Sequence, residues 1–469
     1  MREIMDAMTN KADEQNRQRL AVRKAAVPLL LSLLIVVGVI AGKKVFWRAG
    51  EASAAKDSPA SCRLVLASLP GDGTLDQEIA QQQSLISRGS SSTPALERLG
   101  WLFIKKARVS FDAGFYKLAE QCAACLEARG AKGADTLLLR AHALQSLHRF
   151  GEAEAVAREL VSMRERPFDY GVLGDILVDQ GKVREGAAAY QKMVDLRPDL
   201  QSYARAAHVR WLTGDLAGAI GLMNLATSAG SPNDPEATAW AFTRLAFYQL
   251  QSGATKQSLT SCDAALTVQS DYSPAMLVRA RTMLALSRTA DAVVELQRAA
   301  KLNPLPEYRW ALADALIVAG HGDHAAEVES QIVERPIEDP RTLSLFLATR
   351  RKNVELALQL AQQELSNRGD VFTHDALAWA LTAAGRFAEA QQHINQALSE
   401  RTADPRLYFH AGVIAALNND NAQAKRWLEK AAATHQALLP GERQQLETWR
   451  ERVARGGPQT MQVAKINVH

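Results

Sequence analysis

DALAWALTAAGRFAEAQQHINQAL, Asp375 to Leu398, is two apolar, alanine-rich stretches separated by Gly385. In each half the apolar residues recur every three or four positions, the spacing that lines one face of an α-helix. No alternating strand pattern competes with it. Gly385 between the halves marks a turn. The stretch therefore predicts two short helices folded back on each other, and it contains no obvious catalytic group.

The same pattern is written elsewhere. FDYGVLGDILVDQGKVREGAAAYQKMVDLRP, Phe168 to Pro198, and SPAMLVRARTMLALSRTADAVVELQRAAKLNP, Ser273 to Pro304, overlay on it. The shared template has a small residue near the centre of the first helix (Gly174, Ala280, Ala378) and a turn at Gly181, Ser287 or Gly385. The second helix carries packing positions at Gly186, Ala292 and Ala390, then at Met193, Ala299 and Ala397. Antiparallel helices approach closely only where side chains are small, with Tyr190, Leu296 and Ile394 filling the space between them. Units read in this phase begin near Ala134, Pro167, Leu200, Ala239, Ser273, Pro306, Val371 and Pro405, with a shortened one in Asp339–Asp370. A degenerate unit lies in LERLGWLFIKKARVSFDAGFYKLAEQCAACL.

This template resembles the tetratricopeptide repeat, a helix-turn-helix unit of about 34 residues that often closes on a proline, as at Pro198 and Pro304. The resemblance implies an all-α, right-handed solenoid of nine or ten repeats over residues 94–437. GERQQLETWRERVARG, Gly441 to Gly456, places Leu446, Trp449 and Val453 on one face and reads as the capping helix of residues 438–456, followed by a tail over 457–469. The segments DALAWAL, GRFAEA and YFHAGVIA, with LGWLFIKKAR and DAGFYKLAEQ, also resemble membrane-anchored bacterial tetratricopeptide proteins, which implies no catalytic activity. Relatives that bind C-terminal peptides use a ring of Lys and Arg, and no such basic set recurs here at one repeat position.

The N-terminal end follows different rules. After a polar segment over residues 1–24, Ala25–Gly42 reads AAVPLLLSLLIVVGVIAG, eighteen residues without a charge. As a helix these span ~27 Å, just enough for a hydrocarbon core of about 30 Å, so a single transmembrane helix is expected. Lys43, Lys44 and Arg48 directly after it argue against a cleaved leader, with the nearest cleavage-like site at Ala52-Ser53-Ala54. Arg2, Lys11, Arg17, Arg19, Arg23 and Lys24 stand before the span, and Lys43, Lys44, Arg48, Lys56 and Arg63 after it. The balance leans toward a cytoplasmic N-terminus, placing the repeats outside the cytoplasm, in the periplasm of a bacterium. Residues 43–93 read as a juxtamembrane linker carrying one short helix in LDQEIAQQQSLI.

Composition narrows the function. Fifty-five Lys and Arg against 51 Asp and Glu give a net charge of +4, and the basic residues are scattered, so no footprint for nucleic acid is present. Neither a phosphate-binding loop nor a nucleotide, zinc-protease or serine-hydrolase motif occurs in the right context. No enzyme chemistry and no cofactor are expected. Cys122-Ala-Ala-Cys125 falls inside a helix rather than at its start, which favours packing over redox work; in an oxidising compartment these two thiols are candidates to pair. Cys62 sits in the linker, Cys262 at a core position, and His321 with His324 in a turn without a third ligand.

Solenoids of this kind bind on the concave face, which the first helices line. Trp211, Trp240, Phe247, Trp310, Trp379 and Phe409 fall there and form the candidate groove for a protein or peptide, with core packing as the competing assignment. Asp175, Asp179, His208, Arg281, Asp314 and Asp375 are the polar groups nearby. The resulting expectation is a membrane-tethered scaffold, bound through residues 25–42 and docking protein partners in envelope assembly, secretion or polysaccharide export. The alternatives are an enzyme with an unrecognised site in the groove and a soluble exported protein with a cleaved leader.

Overall fold

Among the described residues, the first helix of each of ten hairpins ends on a residue held in the left-handed backbone region, and the second helix starts within a few residues. These residues are Phe111, His148, Gly181, Gly214, Gly253, Ser287, Gly320, Arg351, Gly385 and Asn419, with φ between 50° and 87°. In nine of the ten turns the next residue's N–H reaches back five residues to a helix carbonyl, as from Lys182 to Leu177 at 2.8 Å and from Arg386 to Leu381 at 2.9 Å. This bond satisfies an orphan carbonyl at the helix end and reverses the chain. The intervals between successive turn residues are 37, 33, 33, 39, 34, 33, 31, 34 and 34, which is the repeat itself.

The computed structural model describes residues 59–88, 93–334 and 339–455, which hold 23 α-helices and no strand. They divide into two compact units, 59–193 and 194–334 with 339–455, where the periodicity alone suggested one continuous array. The first unit contains α1 (Ala60–Val65), α2 (Thr74–Ser87), α3 (Thr93–Ser110), α4 (Gly114–Ala128), α5 (Ala134–Ser146), α6 (Phe150–Met163), α7 (Pro167–Asp179) and most of α8 (Val183–Leu196). The second begins with α9 (Leu200–Leu212), α10 (Leu216–Ser228), α11 (Pro235–Gln251), α12 (Thr255–Val268), α13 (Ser273–Ala285) and α14 (Thr289–Leu302). It continues through α15 (Pro306–Val318), α16 (Gly322–Glu334), α17 (Pro340–Arg350), α18 (Val354–Asn367), α19 (Val371–Ala383), α20 (Phe387–Ala397), α21 (Pro405–Leu417) and α22 (Asn421–Ala432), and closes with α23 (Pro440–Ala454).

Starts are encoded as firmly as stops. Asp199, Asp215, Asp234, Asp339, Asp370, Asp404 and Asp420 each cap a helix by accepting a backbone N–H, as Asp370 does from Thr373 at 2.7 Å. A cap of this kind contributes about 1 kcal/mol. Proline occupies the first helical position of α7, α11, α15, α17 and α21, where its missing N–H costs nothing. The first helix of the unit expected near Ala239 starts at Pro235 and runs 17 residues, which accounts for the long interval of 39.

Hairpins close through the small residues. A Cβ on Gly174 would lie 2.4 Å from the Tyr190 ring, and one on Gly412 would lie 2.6 Å from Leu428. Ala280, Ala292, Ala378, Ala390 and Ala397 are fully buried, as are Leu296 and Ile394 that pack between them.

Two expectations need correction. The segment called a linker is part of the fold from residue 59 onward: α1 buries Cys62 and Val65 completely, and Gln83 on α2 donates to the carbonyls of Val65 at 2.8 Å and Ala67 at 2.9 Å. A six-residue helix is too short to show a period, so the sequence pattern missed it. Cys125 is paired with Cys62, 63 residues earlier, rather than with Cys122. Cys122 and Cys262 are free buried thiols, and burial pushes both well above the usual thiol range. No described helix is long and apolar enough to cross a membrane; residues 1–24, the apolar segment 25–42 and the tail 457–469 lie outside the described residues.

Two glycines test the two constraints separately. Gly385, at φ +76° with open space around it, should lose about 1 kcal/mol on Gly385→Ala through backbone strain alone. Gly174→Ala must displace the buried Tyr190 and should cost more, about 1–3 kcal/mol. Denaturant midpoints of the two variants measure this; an unchanged midpoint for Gly174→Ala would show that the α7–α8 hairpin does not close on that residue.

Candidate functional site

All six aromatic residues of the candidate groove lie in the second unit, on the first helices of their hairpins: Trp211 on α9, Trp240 and Phe247 on α11, Trp310 on α15, Trp379 on α19 and Phe409 on α21. Five are buried, Trp240 the least at 8% exposure, and Phe247 is half-buried. Two pairs form among them. Trp211 meets Phe247 edge-on at 5.3 Å, and Trp379 lies 5.6 Å from Phe409. Trp240 and Trp310 make no ring contact with the other four among the described residues, and their indole N–H groups meet no acceptor there.

What covers these rings is the chain itself. The connection between α20 and α21 lies against the end of α9: Trp211 Nε1 donates to the Ala403 carbonyl at 2.9 Å, the Thr402 hydroxyl donates to the Leu212 carbonyl at 2.9 Å, and Phe372 stacks on the Trp211 ring at 5.3 Å. Gln251 at the end of α11 donates to the Asp404 carboxylate at 3.2 Å. Arg244 lies over Trp211, Phe247 and Tyr248 at 4.9–5.8 Å.

A second strap comes from the C-terminus. Between α22 and α23 the chain forms a short 3-10 turn, His435–Ala437, and then crosses to the first helices. Arg281 of α13 donates to the Ala437 carbonyl at 2.8 Å. Arg443 donates to the carbonyls of Leu284, Gln436 and Leu438 at 3.2, 2.9 and 2.9 Å. The N–H of Gly441 donates to the Asp314 carboxylate of α15 at 2.9 Å, and Asp314 also pairs with Arg350 of α17. Glu442, buried, pairs with Arg406 at 2.6 Å and caps its own helix by accepting the Leu439 N–H at 2.8 Å. Beyond these contacts α23 does what a cap should: Leu446 is fully buried, and Trp449 and Val453 pack on Ala415, Ala416 and Ala424.

The electrostatics follow from that burial. Burial raises Asp314 and Asp404 above the usual carboxylate range. Burial also works on Glu442, but the Arg406 charge beside it prevails and holds it low. Burial lowers Arg443 to about 10, with the Arg281 charge adding to it. Burial takes His208 down to about 3, and Arg244 adds to the shift. His410 and Asp375 form a buried pair at 2.8 Å with Trp379 stacked on the imidazole at 4.0 Å. Asp175 accepts the Tyr190 hydroxyl at 2.7 Å in the first unit. Titratable groups thus converge on the inner helices, and each carboxylate named there is answered by a guanidinium, an imidazole, a hydroxyl or an N–H. Among the described residues no group of three or more His, Cys, Asp or Glu is arranged to hold a metal ion.

The sequence pattern missed the strap. Its one legible signal is Pro440 followed by Glu442, a helix start with an acid in the third position. A more open aromatic cluster was also missed: half-buried Trp427 stacks on Tyr408 at 5.7 Å, with Lys430 4.0 Å from the Tyr408 ring and Arg426 5.2 Å from Trp427.

Fold and site together define a helical-hairpin repeat protein with an interior closed by its own segments. Comparison with known proteins adds a partial match. A tetratricopeptide-repeat model matches residues 172–235, from within α7 to the first residue of α11. Solved structures with resemblance include a tetratricopeptide repeat protein from Parabacteroides merdae, 17% identical, over 54% of this chain and 98% of that one, with a TM-score of 0.30. Yeast Tom70 is 13% identical over 81% of this chain and 92% of its own, at 0.33. IFIT1, in a structure with Gppp-AAAA, is 12% identical over 76% and 85%, at 0.45. No curated protein matches the chain.

His208 gives the interior a pH signature. Its folded-state pKa lies below the ordinary value of 6.5, so its contribution to stability is complete above about pH 6.5 and is lost as pH falls toward 3. The slope is about 1.4 kcal/mol per pH unit for one such group. Stability of the full chain should fall between pH 7 and pH 5, and His208→Gln should flatten that fall. Identical slopes for both proteins would remove His208 from this role. Separately, Glu442→Gln removes the buried carboxylate paired with Arg406 and should cost about 3 kcal/mol, read as a lower denaturant midpoint.

Proposed function

We propose that the chain is a membrane-tethered tetratricopeptide scaffold whose repeats stand outside the cytoplasm and hold a protein partner, in bacterial envelope assembly, secretion or polysaccharide export. The observation that carries the scaffold reading is the repeat array: ten hairpins among the described residues, matched in part by a tetratricopeptide-repeat model, in which the converging titratable groups are engaged with one another. Such an architecture offers surface rather than chemistry. No catalytic step is assigned.

Two observations support the address. The eighteen uncharged residues from Ala25 to Gly42 are long enough for one span. The Cys62–Cys125 disulfide joins α1 to α4, and disulfides persist in oxidising compartments. It replaces the Cys122–Cys125 pair considered from sequence as the redox marker.

The reading places the partner on outward-facing surface, because Trp211 is covered by residues 402–403 and the first helices α13 and α15 are occupied by residues 437–441. A test uses the full chain in native membranes. Reporter fusions after His469, one active only in the cytoplasm and one only outside it, are combined with thiol labelling before and after reduction. Activity of the outside reporter, with Cys62 and Cys125 labelled only after reduction, is expected. Cytoplasmic reporter activity with all four thiols reactive after unfolding without reductant would contradict the address. Site-specific photocrosslinkers at exposed positions of α22 and α12 that yield no discrete protein adduct would count against the scaffold.

A further inference from the structure

His374 and His393 face each other across the α19–α20 hairpin, at the end away from the Gly385 turn. Their Nδ1 atoms are 3.2 Å apart, the ring centroids 5.4 Å apart and the planes within 24°. Both side chains are half-buried, so solvent reaches the pair while the two helices fix its spacing. The spacing decides what the pair fits. With metal–nitrogen bonds of about 2.0–2.1 Å, two nitrogens 3.2 Å apart subtend an angle of about 100° at a bound ion, close to the tetrahedral value.

We propose that His374 and His393 form a two-histidine site for a divalent first-row transition cation of the zinc, copper or nickel type, with water completing the shell. Imidazole nitrogen is the ligand class these ions favour. Two neutral rings are required, because a proton on Nδ1 excludes the metal. Burial lowers both histidines, and for His374 the neighbouring His393 adds to the effect. In the empty pair one Nδ1 carries a proton and donates it to the other; on metal binding that proton moves to the Nε2 of the same ring, and no net proton is released. The acids that sense the pair are Asp370, the cap of α19, and Glu389, one helical turn before His393. Glu389 is paired with Arg386 at the surface.

The probe is zinc alone, titrated into the full chain without an affinity tag in a non-chelating buffer near pH 7.5. One ion per chain is expected, with His374→Gln and His393→Gln each weakening it at least about tenfold, the scale on which a metal site responds to loss of a supporting group. Zinc should also protect His374 and His393 from carbethoxylation, while His321 and His324 stay reactive; this peptide-level readout does not depend on how stable the variants are. Overturning results are the absence of saturable binding up to about 1 mM free zinc, the weak end of the affinity scale, unchanged affinity in both variants, or protection at other histidines only.

Discussion

A backbone residue that must sit at positive φ, repeated ten times, is the constraint on which the rest of this structure depends. Each such residue ends one helix and, in nine cases, lets the next N–H close on a carbonyl five residues back. That bond fixes where the chain turns, and the turn fixes which residues of the two helices oppose each other. Once Gly181 sets the turn, Gly174 must face Tyr190 and Gly186 must face Val178. Five of the ten positions are glycine, for which the conformation carries no Cβ penalty. The others accept a modest strain in exchange for a side chain, and packing of the hairpin holds them there.

The turns and small-residue positions were legible because they are local and repeated. Gly181, Ser287 and Gly385 are recognisable as breaks, and the fourteen or so residues on either side are long enough to show a helical period. Much less of the interior was legible. Trp211 is assigned correctly to a first helix by its register, but its coverage by Ala403 and Phe372 depends on contacts 161 to 192 residues away. Periodicity contains nothing about such distances. The same holds for Cys125, whose neighbour in sequence, Cys122, is a plausible partner until the fold brings Cys62 beside it. The division into two compact units is likewise absent from the repeat pattern, which runs through residues 193 and 194 in phase.

Covering the inner helices has an energetic logic. Large rings with open faces would leave an apolar patch of the kind that marks a binding surface. Here the second unit covers Trp211 with its own α20–α21 connection and docks residues 437–441 on α13 and α15, and the backbone groups of these segments must then find partners. Arg281, Arg443, Asp314 and Trp211 supply them, and Asp314 is matched by Arg350 and Glu442 by Arg406. A buried network of this type contributes little net stability beyond an apolar core, but losing one member is costly. It therefore specifies one docked position for residues 435–443.

That docked position is the central claim, and hydrogen exchange measures it directly. In the full chain, peptides covering residues 435–443 should exchange as slowly as those from α13 and α15, because the Gly441 N–H is held by buried Asp314 and the carbonyls of Gln436, Ala437 and Leu438 are held by arginines. Exchange of that segment at the rate of an unstructured peptide, with α13 and α15 still protected, would show that the inner face is open and would contradict the account.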